Sequence, residues 1–253
     1  MNVGRVALLS VALLALAACA KTNDPGYQGW VEADLIFVSP DEVGRVETLS
    51  VREGDTVEKG APLFTVDPDL QQADVEMAKA SVTNATQAYE RAQTLLKTSA
   101  GTQKTVEDAE AALRTAQARL ASAQTRLARR KAASPVTGSV QQIYYRPGEL
   151  VPAGRPVVSL LPPGNIKIRF FVPERVLPSV ALGEAVTIHC DGCKTDVTAK
   201  VTFISRTSEF TPPVIYSLDE RSKLVFLIEA RTDTPGELRV GQPADVRFAE
   251  PRK

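Results

Sequence analysis

The chain has 253 residues, and thirty Lys and Arg residues balance thirty Asp and Glu residues, so the formal net charge at pH 7 is zero. This balance excludes a global basic field of the kind that holds nucleic acid. Hydrophobic residues make up 43% and charged residues 24% of the chain, which is ordinary for a folded soluble protein. A single His, two Met and one Trp argue against a catalytic or haem protein, because acid–base and metal chemistry at neutral pH draws mostly on His.

The first eighteen residues have the composition of an export signal. A short, positively charged start runs from Asn2 to Arg5, and the apolar run that follows is too short to span a bilayer. That run ends in a Leu-Ala-Ala-Cys sequence at 16–19, which resembles a lipobox. We therefore expect residues 1–18 to be a lipoprotein signal peptide and Cys19 to be lipidated. The alternative is an ordinary secretory signal in which Cys19 is incidental.

An internal repeat is the strongest pattern in the sequence. Residues 44–63 match residues 138–157 without a gap, so Gly44 corresponds to Gly138 and Gly54 to Gly148, 94 residues later. Each copy contains short apolar stretches typical of strands, and glycines recur where the chain must turn. One copy has an apolar face too small to fold alone. Two copies that fold together are therefore predicted to form a small β-sandwich.

Two helix-forming runs lie between the copies, from Leu70 to about Thr98 and from about Gln103 to Ala133, and neither contains Gly or Pro. Apolar residues in both runs alternate spacings of three and four, which is the a/d pattern of a coiled coil. These seam positions are Val75, Ala78, Val82, Ala85, Tyr89, Ala92 and Leu96 in the first run, and Val106, Ala109, Leu113, Ala116, Leu120, Ala123 and Leu127 in the second.

The two seams also match each other if the chain folds back around Gly101. Large residues then meet large residues and Ala meets Ala, with the large layers pairing Val75 with Leu127, Val82 with Leu120, Tyr89 with Leu113, and Leu96 with Val106. The pattern predicts an antiparallel coiled-coil hairpin whose arms, at 1.5 Å per residue, reach about 42 Å. Two helices packed on a globular core are the alternative, and they usually need a wider apolar stripe.

Short strands and turns continue after the second copy of the repeat. The strand-like segments are Ile166 to Val172, Ala185 to His189, Asp196 to Ile204, Leu224 to Ala230 and Ala244 to Phe248. Strands of this length and spacing predict a small antiparallel barrel or sandwich.

This layout resembles the HlyD-type, or membrane fusion protein, family of periplasmic adaptors. The motifs that carry the resemblance are two Gly-Asp/Glu-x-Val-x-x-Gly half-sites at 54–60 and 148–154, split by the heptad hairpin, and Leu-Arg-Val-Gly-Gln-Pro-Ala-Asp-Val-Arg-Phe at 238–248. The stretch from Thr211 to Phe226 looks like a short branch associated with ABC-type exporters. The half-sites alone would also fit biotinyl or lipoyl carriers, and the inserted hairpin favours the adaptor.

The resemblance implies a mainly β fold with an inserted α-helical antiparallel coiled-coil hairpin, namely a split lipoyl-like β-sandwich plus a small β-barrel. The expected segments are the signal peptide at 1–18, an N-terminal strand segment and first lipoyl-like half at 19–69, the hairpin at 70–133, the second half at 134–163 and the barrel at 164–250.

The resemblance also implies the function of this family. Its members form tubes, usually hexamers, between an inner-membrane pump and a TolC-like outer-membrane channel, for efflux or secretion, with no catalysis or cofactor of their own. Hairpin tips in the family carry an Arg, a Leu four residues on and a Ser seven beyond. Arg91 and Leu95 match, and Thr102 stands where Ser is expected. The alternative for Arg91 is a solvated residue on the surface of a coiled coil.

The partners and the location follow from the same resemblance. Adaptors of proton-driven pumps add a fourth domain after the barrel, and this sequence leaves little room for one, so we expect an ABC-type permease as the partner. We expect a lipid anchor on the periplasmic side of the inner membrane. Ala20 is not the Asp that favours inner-membrane retention in some bacteria, whereas Lys21 and Thr22 resemble a retention pattern in others.

Two further sites have competing interpretations. Cys190 and Cys193 form a Cys-x-x-Cys motif next to His189, for which a turn-spanning disulfide, free thiols, and metal or redox chemistry are all open; the oxidising periplasm favours the disulfide. Lys59 lies in a turn of the first half-site, but the coiled coil takes the place where a carrier would expose its modified Lys. A covalent carrier and a structural envelope lipoprotein are therefore the alternative functions.

Overall fold

The computed structural model describes residues 26–191, 193, 195–210, 224–232, 234 and 238–249. The predicted signal peptide, Cys19 and residues 211–223 of the branch-like stretch lie outside these residues. The chain divides into two units, one formed by residues 34–165 and the other by the segments on either side of it. The predicted fold class, mainly β with an inserted helical hairpin, a split sandwich and a barrel, is confirmed.

The elements are numbered in chain order. The strands are β1 (Tyr27–Ala33), β2 (Ile36–Val38), β3 (Gly44–Leu49), β4 (Thr56–Val57), β5 (Pro62–Val66), β6 (Lys131–Ala133), β7 (Gly138–Ile143), β8 (Leu150–Val151), β9 (Val158–Leu161), β10 (Ile166–Pro173), β11 (Ala185–His189), β12 (Val197–Phe210), β13 (Leu224–Arg231) and β14 (Pro243–Phe248). The helices are α1 (Asp69–Lys97) and α2 (Gln103–Ala128), with 3-10 turns at Pro163–Asn165 and Leu177–Ser179.

The sandwich consists of two four-stranded sheets with the strand orders β2-β9-β7-β4 and β6-β5-β3-β8. Strands β3 and β7 cover equivalent residues of the repeat, and so do β4 and β8. The bonds that join the halves are equivalent too: the Gly54 amide donates to the Val140 carbonyl at 2.9 Å, and the Gly148 amide donates to the Val46 carbonyl at 2.8 Å. Apolar residues from both sheets, among them Phe64, fill the core between them.

The helical hairpin leaves the sandwich after β5 and returns to it at β6. Every residue of the predicted seam is buried or half-buried, while most other positions of both helices are exposed. Asp74 and Arg126 form an ion pair between the helices at 3.6 Å, which is consistent with the antiparallel register in which Ala layers face each other.

The helical run was predicted to extend to Ala133, and this is wrong in its last residues. The second helix ends at Ala128, and Lys131–Ala133 form a strand that pairs with β5. The helix-forming composition of these residues is overridden because the edge of β5 offers backbone partners.

The second unit is a closed barrel with the strand order β1-β10-β13-β12-β11-β14. Strand β1 pairs with both β10 and β14, so it closes the barrel. The barrel was expected at 164–250, and the N-terminal strand segment was predicted within 19–69 without a partner sheet. Val31 is fully buried in the barrel, and a Cβ on Gly29 would lie 2.3 Å from the carbonyl oxygen of Arg169, so only glycine fits this close approach. Strand β12 also continues past Ile204 to Phe210.

Within the described part of the chain, no helix is both long enough and apolar enough to span a membrane.

Candidate functional site

The tip of the hairpin begins where α1 ends in a left-handed turn. The amide of Ser99 donates to the carbonyl of Leu96 at 3.0 Å, and the amide of Ala100 donates to the carbonyl of Leu95 at 2.8 Å. Ser99 has a φ of 56°. This pair of bonds around a residue with positive φ is the Schellman motif, which satisfies the last carbonyls of a helix and reverses the chain. The motif sets where the second helix can start.

Thr102 starts α2 as its N-cap. Its side-chain oxygen accepts a hydrogen bond from the amide of Thr105 at 3.2 Å, and its hydroxyl lies 2.8 Å from the hydroxyl of Thr105. An N-cap threonine satisfies one of the amide groups that the first turn of a helix leaves without a partner. The hydroxyl expected to serve docking therefore has a role in forming the tip, and its docking role stays a prediction.

Arg91 and Leu95 share one outer face of α1, close to the tip. Both are exposed, Leu95 to 48%, and together with Gln87, Glu90 and Thr94 they line a shallow depression. Arg91 directly precedes Ala92, which is buried in the seam, so the guanidinium lies on the flank of the coiled coil. The surface offers a cation, an apolar side chain and a carboxylate within about one and a half helical turns.

The structure brings Arg91 and Leu95 together and places Thr102 at the start of the other helix. Because Thr102 follows the turn, it does not extend the depression that the other two residues line. Of the three predicted residues, two therefore share a surface of α1 and the third caps α2, and the docking role of all three stays a prediction.

The base of the hairpin is tied to the sandwich by polar contacts that were not predicted. Arg129 pairs with Asp41 at 3.0 Å, and the amide group of Gln71 donates to the carboxylate of Glu42 at 2.8 Å. Arg130 is buried, and its guanidinium donates to the carbonyls of Glu42 and Val43 at 3.3 and 3.1 Å. The sequence signal was the Arg-Arg pair that follows the last heptad, opposite the Asp-Glu pair before the repeat.

The barrel contains the cysteine cluster. Cys190 and Cys193 form a disulfide across a turn, with Cα atoms 5.4 Å apart. Nδ1 of His189 lies 2.8 Å from a carboxylate oxygen of Asp196, and the side-chain amide of Gln242 donates to the carbonyl of Asp191 at 3.2 Å. Among the described residues, no group of three or more His, Cys, Asp or Glu side chains is placed to hold a metal ion.

Residues 36–161 match the family model described as the barrel-sandwich hybrid domain of RND membrane fusion proteins. A UPF0194 membrane protein of Acidithiobacillus ferridurans is 32% identical over 117 residues, and one of Yersinia enterocolitica is 34% identical over 121 residues. These alignments cover 46 and 47% of this chain but only 35 and 37% of the relatives. The chain thus spans little more than a third of the length of the curated relatives that it matches.

Solved structures resemble a larger part of the chain. A membrane fusion protein of Streptococcus pneumoniae R6 matches with a TM-score of 0.70 and 17% identity over 89% of this chain and 98% of its own. A MacA-MexA chimera, which contains the α-hairpin domain of Pseudomonas aeruginosa MexA, matches with a TM-score of 0.74 and 21% identity over 88% of this chain and 81% of its own. At these identities the likeness shows the fold. Residues 36–161 therefore match the barrel-sandwich hybrid domain of RND membrane fusion proteins, and the solved structures share the fold of most of the chain.

Proposed function

We propose that this protein is a periplasmic adaptor that connects an inner-membrane exporter, of the ABC type, to a TolC-like outer-membrane channel for efflux or secretion. The observation that carries the proposal is a long coiled-coil hairpin, inserted in a barrel-sandwich hybrid domain, with Arg91 and Leu95 exposed near its tip. The adaptor works by connecting its partners and carries out no catalysis, so the energy for transport comes from the pump.

The side chains at the tip have the chemistry for docking onto another protein. A guanidinium makes bidentate hydrogen bonds to carboxylates or to backbone carbonyls, and an exposed Leu beside it adds apolar area that a partner can bury. Arg91 and Leu95 are four residues apart on one helix, so a single groove on the partner can receive both. Docking through such a face uses the helix as a rigid support, because its seam side is packed against α2.

The base of the hairpin supports the same function. A docking tip at the end of an arm of about 40 Å transmits force only if the arm is fixed where it starts. Arg130 provides this fixation through its two hydrogen bonds to the chain that leads into β3. The lipobox-like end of the signal sequence supports a lipid anchor at Cys19, which would hold the protein to the periplasmic face of the inner membrane.

Photo-crosslinking in cells tests the proposal. A photoreactive residue replaces Thr94, which lies between Arg91 and Leu95 on the exposed face and leaves both intact. The matched control position is Thr115 on α2, which is also exposed and whose hydroxyl likewise donates to the carbonyl four residues earlier. We expect an adduct with an outer-membrane channel from position 94 and a much weaker one from position 115, and we expect an ABC permease to co-purify with the tagged chain.

Variants then test the two side chains. Arg91→Ala and Leu95→Ala should each lower the yield of the channel adduct at least fivefold, the effect of losing about 1 kcal/mol of docking energy. Arg114→Ala and Met77→Ala remove an exposed Arg and an exposed apolar residue elsewhere on the hairpin and should leave the yield unchanged. Recovery of the chain only with itself, or with a lipoyl or biotinyl adduct on Lys59, would reject the adaptor.

A further inference from the structure

Four turns in the described part of the chain share one backbone structure. Each contains a glycine with positive φ followed by an Asp, Glu or Gln, whose side chain accepts a hydrogen bond from the amide of the residue two before the glycine. The glycine amide donates to the carbonyl of a Val in another strand, and the amide of that Val donates back to the carbonyl of the Asp, Glu or Gln. The turns are residues 52–55, 146–149, 181–184 and 239–242. Because their hydrogen bonds are equivalent, differences between their side chains are not required by the turn.

The turn at 181–184 differs from the other three in the chemistry of its tip. The others begin with an exposed Arg, namely Arg52, Arg146 and Arg239, whereas this one begins with Ala181. The next residue, Leu182, is 67% exposed, and residues 177–183 include no charged residue. Glu53 takes the position of Leu182 in the first turn, so this backbone accepts a charged residue there. The apolar tip therefore has a reason other than folding.

The tip is held in place by its neighbours. Val176 and Val180, on either side of a 3-10 turn, are both buried. The hydroxyl of Ser179 donates to the carbonyl of Val176 at 2.6 Å, and the amide of Ala181 donates to the carboxylate of Glu184 at 3.1 Å. A partner that binds Leu182 therefore does not have to order the loop first, which removes one of the usual costs of binding.

The turn lies at the end of the barrel where the chain enters. Strand β14 runs antiparallel to both β1 and β11, so β1 and β11 begin at the same end. The turn at 181–184 directly precedes β11, and Gly26 directly precedes β1. Cys19 is seven residues before Gly26, and an extended chain covers at most about 3.6 Å per residue, so the two are no more than about 25 Å apart. A lipid on Cys19 would therefore keep this end of the barrel close to the bilayer.

We infer that the tip at 177–183 contacts the lipid bilayer, with the side chain of Leu182 among the acyl chains. This inference rests on the lipid anchor of the proposed adaptor and adds a second contact with the same membrane. Leu favours insertion into a bilayer, whereas a charged residue opposes it several times as strongly, so this tip enters more readily than the other three turns. One exposed Leu is too small to hold a protein on a membrane alone, but the anchor supplies lipid at high local concentration.

The second contact would give the barrel a defined orientation. An anchor at the end of a seven-residue segment leaves the barrel free to rotate above the membrane. With Leu182 in the bilayer, the end at which β1 and β11 begin faces the lipid. The turn at 239–242 precedes β14, which runs the other way, so this turn lies at the opposite end and faces away from the membrane.

Fluorescence quenching in vesicles tests the contact. The full-length, lipidated chain is placed in vesicles of phosphatidylethanolamine and phosphatidylglycerol, with an environment-sensitive fluorophore on Leu182→Cys. Val240→Cys is the matched control, because Val240 is an exposed apolar residue at the same position of the turn at the opposite end. Cys190 and Cys193 are joined, and Cys19 is expected to be acylated, so the introduced thiol is the reactive one.

Lipids with a nitroxide on the acyl chain should quench the fluorophore at position 182 at least about fivefold more than the one at position 240, because an inserted side chain lies about 5 to 10 Å deep. Equal quenching at the two positions, or none at position 182, would overturn the inference. In cells, a photoreactive residue at position 182 should link to phospholipid. A link to a membrane protein instead would show that the tip docks on a protein partner and would also overturn it.

A substitution taken from the first turn tests the side chain. Leu182→Glu introduces the residue type of Glu53, so folding should be retained, as circular dichroism would verify. With the fluorophore moved to Ala181→Cys, Leu182→Glu should lower the quenching by acyl-chain nitroxides about tenfold, since a carboxylate opposes insertion. Val240→Glu, the control, should leave this quenching unchanged. Unchanged quenching in Leu182→Glu would contradict the contact.

The crosslinker at position 94 separates this inference from the proposed function. A channel adduct from position 94 without quenching at position 182 rejects only the membrane contact. Quenching at position 182 without a channel adduct rejects the adaptor and leaves the contact. The intact mass of the purified chain checks the anchor, and a mass without acyl chains on Cys19 would reject the anchor together with the contact that rests on it.

Discussion

The guanidinium of Arg130 donates to the backbone carbonyl of Val43 across 3.1 Å. This bond links the second residue after the second helix to the residue that precedes the first strand of the repeat. The absence of a side chain on Gly44 makes room for it, because a Cβ there would lie 3.1 Å from Nη1 of Arg130 and 2.3 Å from a methyl carbon of Val66. The hairpin is therefore joined to the sandwich by a buried cation as well as by the chain itself.

Replacing Arg130 should destabilise the sandwich unit. Arg130→Met leaves two carbonyls without their donor, and we expect the free energy of unfolding to fall by about 2 to 3 kcal/mol. Arg129→Met, the control, removes only an exposed ion pair with Asp41 and should cost less than about 1 kcal/mol. Urea denaturation followed by circular dichroism measures both. Equal costs for the two variants would show that burial of Arg130 contributes nothing.

The two turn glycines of the repeat should respond alike to substitution. Gly54 and Gly148 have φ values of 91° and 95°, and nothing lies within 4 Å of a Cβ at either position. Replacement by Ala therefore costs only the unfavourable backbone conformation, about 1 to 2 kcal/mol in each case. Gly164→Ala, where a Cβ also meets nothing and φ is not positive, should stay within about 0.5 kcal/mol. Thermal or urea unfolding would contradict this if only one of the two turn variants were destabilised.

The turn at the hairpin tip should become more stable with glycine. Ser99 has a φ of 56°, a conformation that costs a residue with a Cβ about 1 kcal/mol and costs glycine almost nothing. We expect Ser99→Gly to stabilise the hairpin by up to about that amount. Ser81→Gly, in the exposed middle of α1, should lower stability by about 0.5 kcal/mol. Hydrogen exchange of the amides near the tip is the direct measurement, and faster exchange in Ser99→Gly would contradict the prediction.

The disulfide should matter for stability alone. It closes a loop of four residues, for which the loss of chain entropy gives about 2 kcal/mol or less. Replacing Cys190 and Cys193 by Ser should lower the stability of the barrel by this amount, and a reductant should produce the same change in the unsubstituted protein. Export should be unchanged below the new unfolding temperature. A loss of export without a loss of stability would instead indicate a redox role for the pair.

The sandwich could be predicted because its two halves repeat in sequence, and the hairpin because its apolar residues recur with the heptad period. Gly44 and Gly138 are matched residues that reveal the repeat. Apolar residues at spacings of three and four indicate a coiled coil whichever residues surround them. The end of the second helix was predicted less accurately. Lys131–Ala133 favour a helix by composition but form a strand because they pair with β5. Local preference decides such residues only where no sheet edge competes.

The sheet to which strand β1 belongs could not be predicted from the sequence pattern. Its partner β10 is more than 130 residues away, and a seven-residue strand carries no information about which sheet it joins. The role of Thr102 shows a second limit: the spacing of the tip residues identifies the position, whereas its contact with Thr105 depends on where the turn places the start of α2. The docking roles of Arg91, Leu95 and Thr102 stay predictions.

The insertion of the hairpin between the two halves of the repeat determines how the chain can fold. Strands β3 and β7 are about 90 residues apart, and a flexible loop of that length makes their meeting slow and entropically costly. The hairpin removes most of this cost, because its contacts start at a short turn and helices form within microseconds. Once α1 and α2 have packed against each other, Val66 and Arg130 are neighbours, and the amide of Val66 donates to the carbonyl of Arg130 at 2.8 Å. The loop that must close between the two halves is then effectively only a few residues long. An arm lengthened by whole heptads would therefore fold nearly as fast, since the turn, and not the length of the arm, starts the reaction.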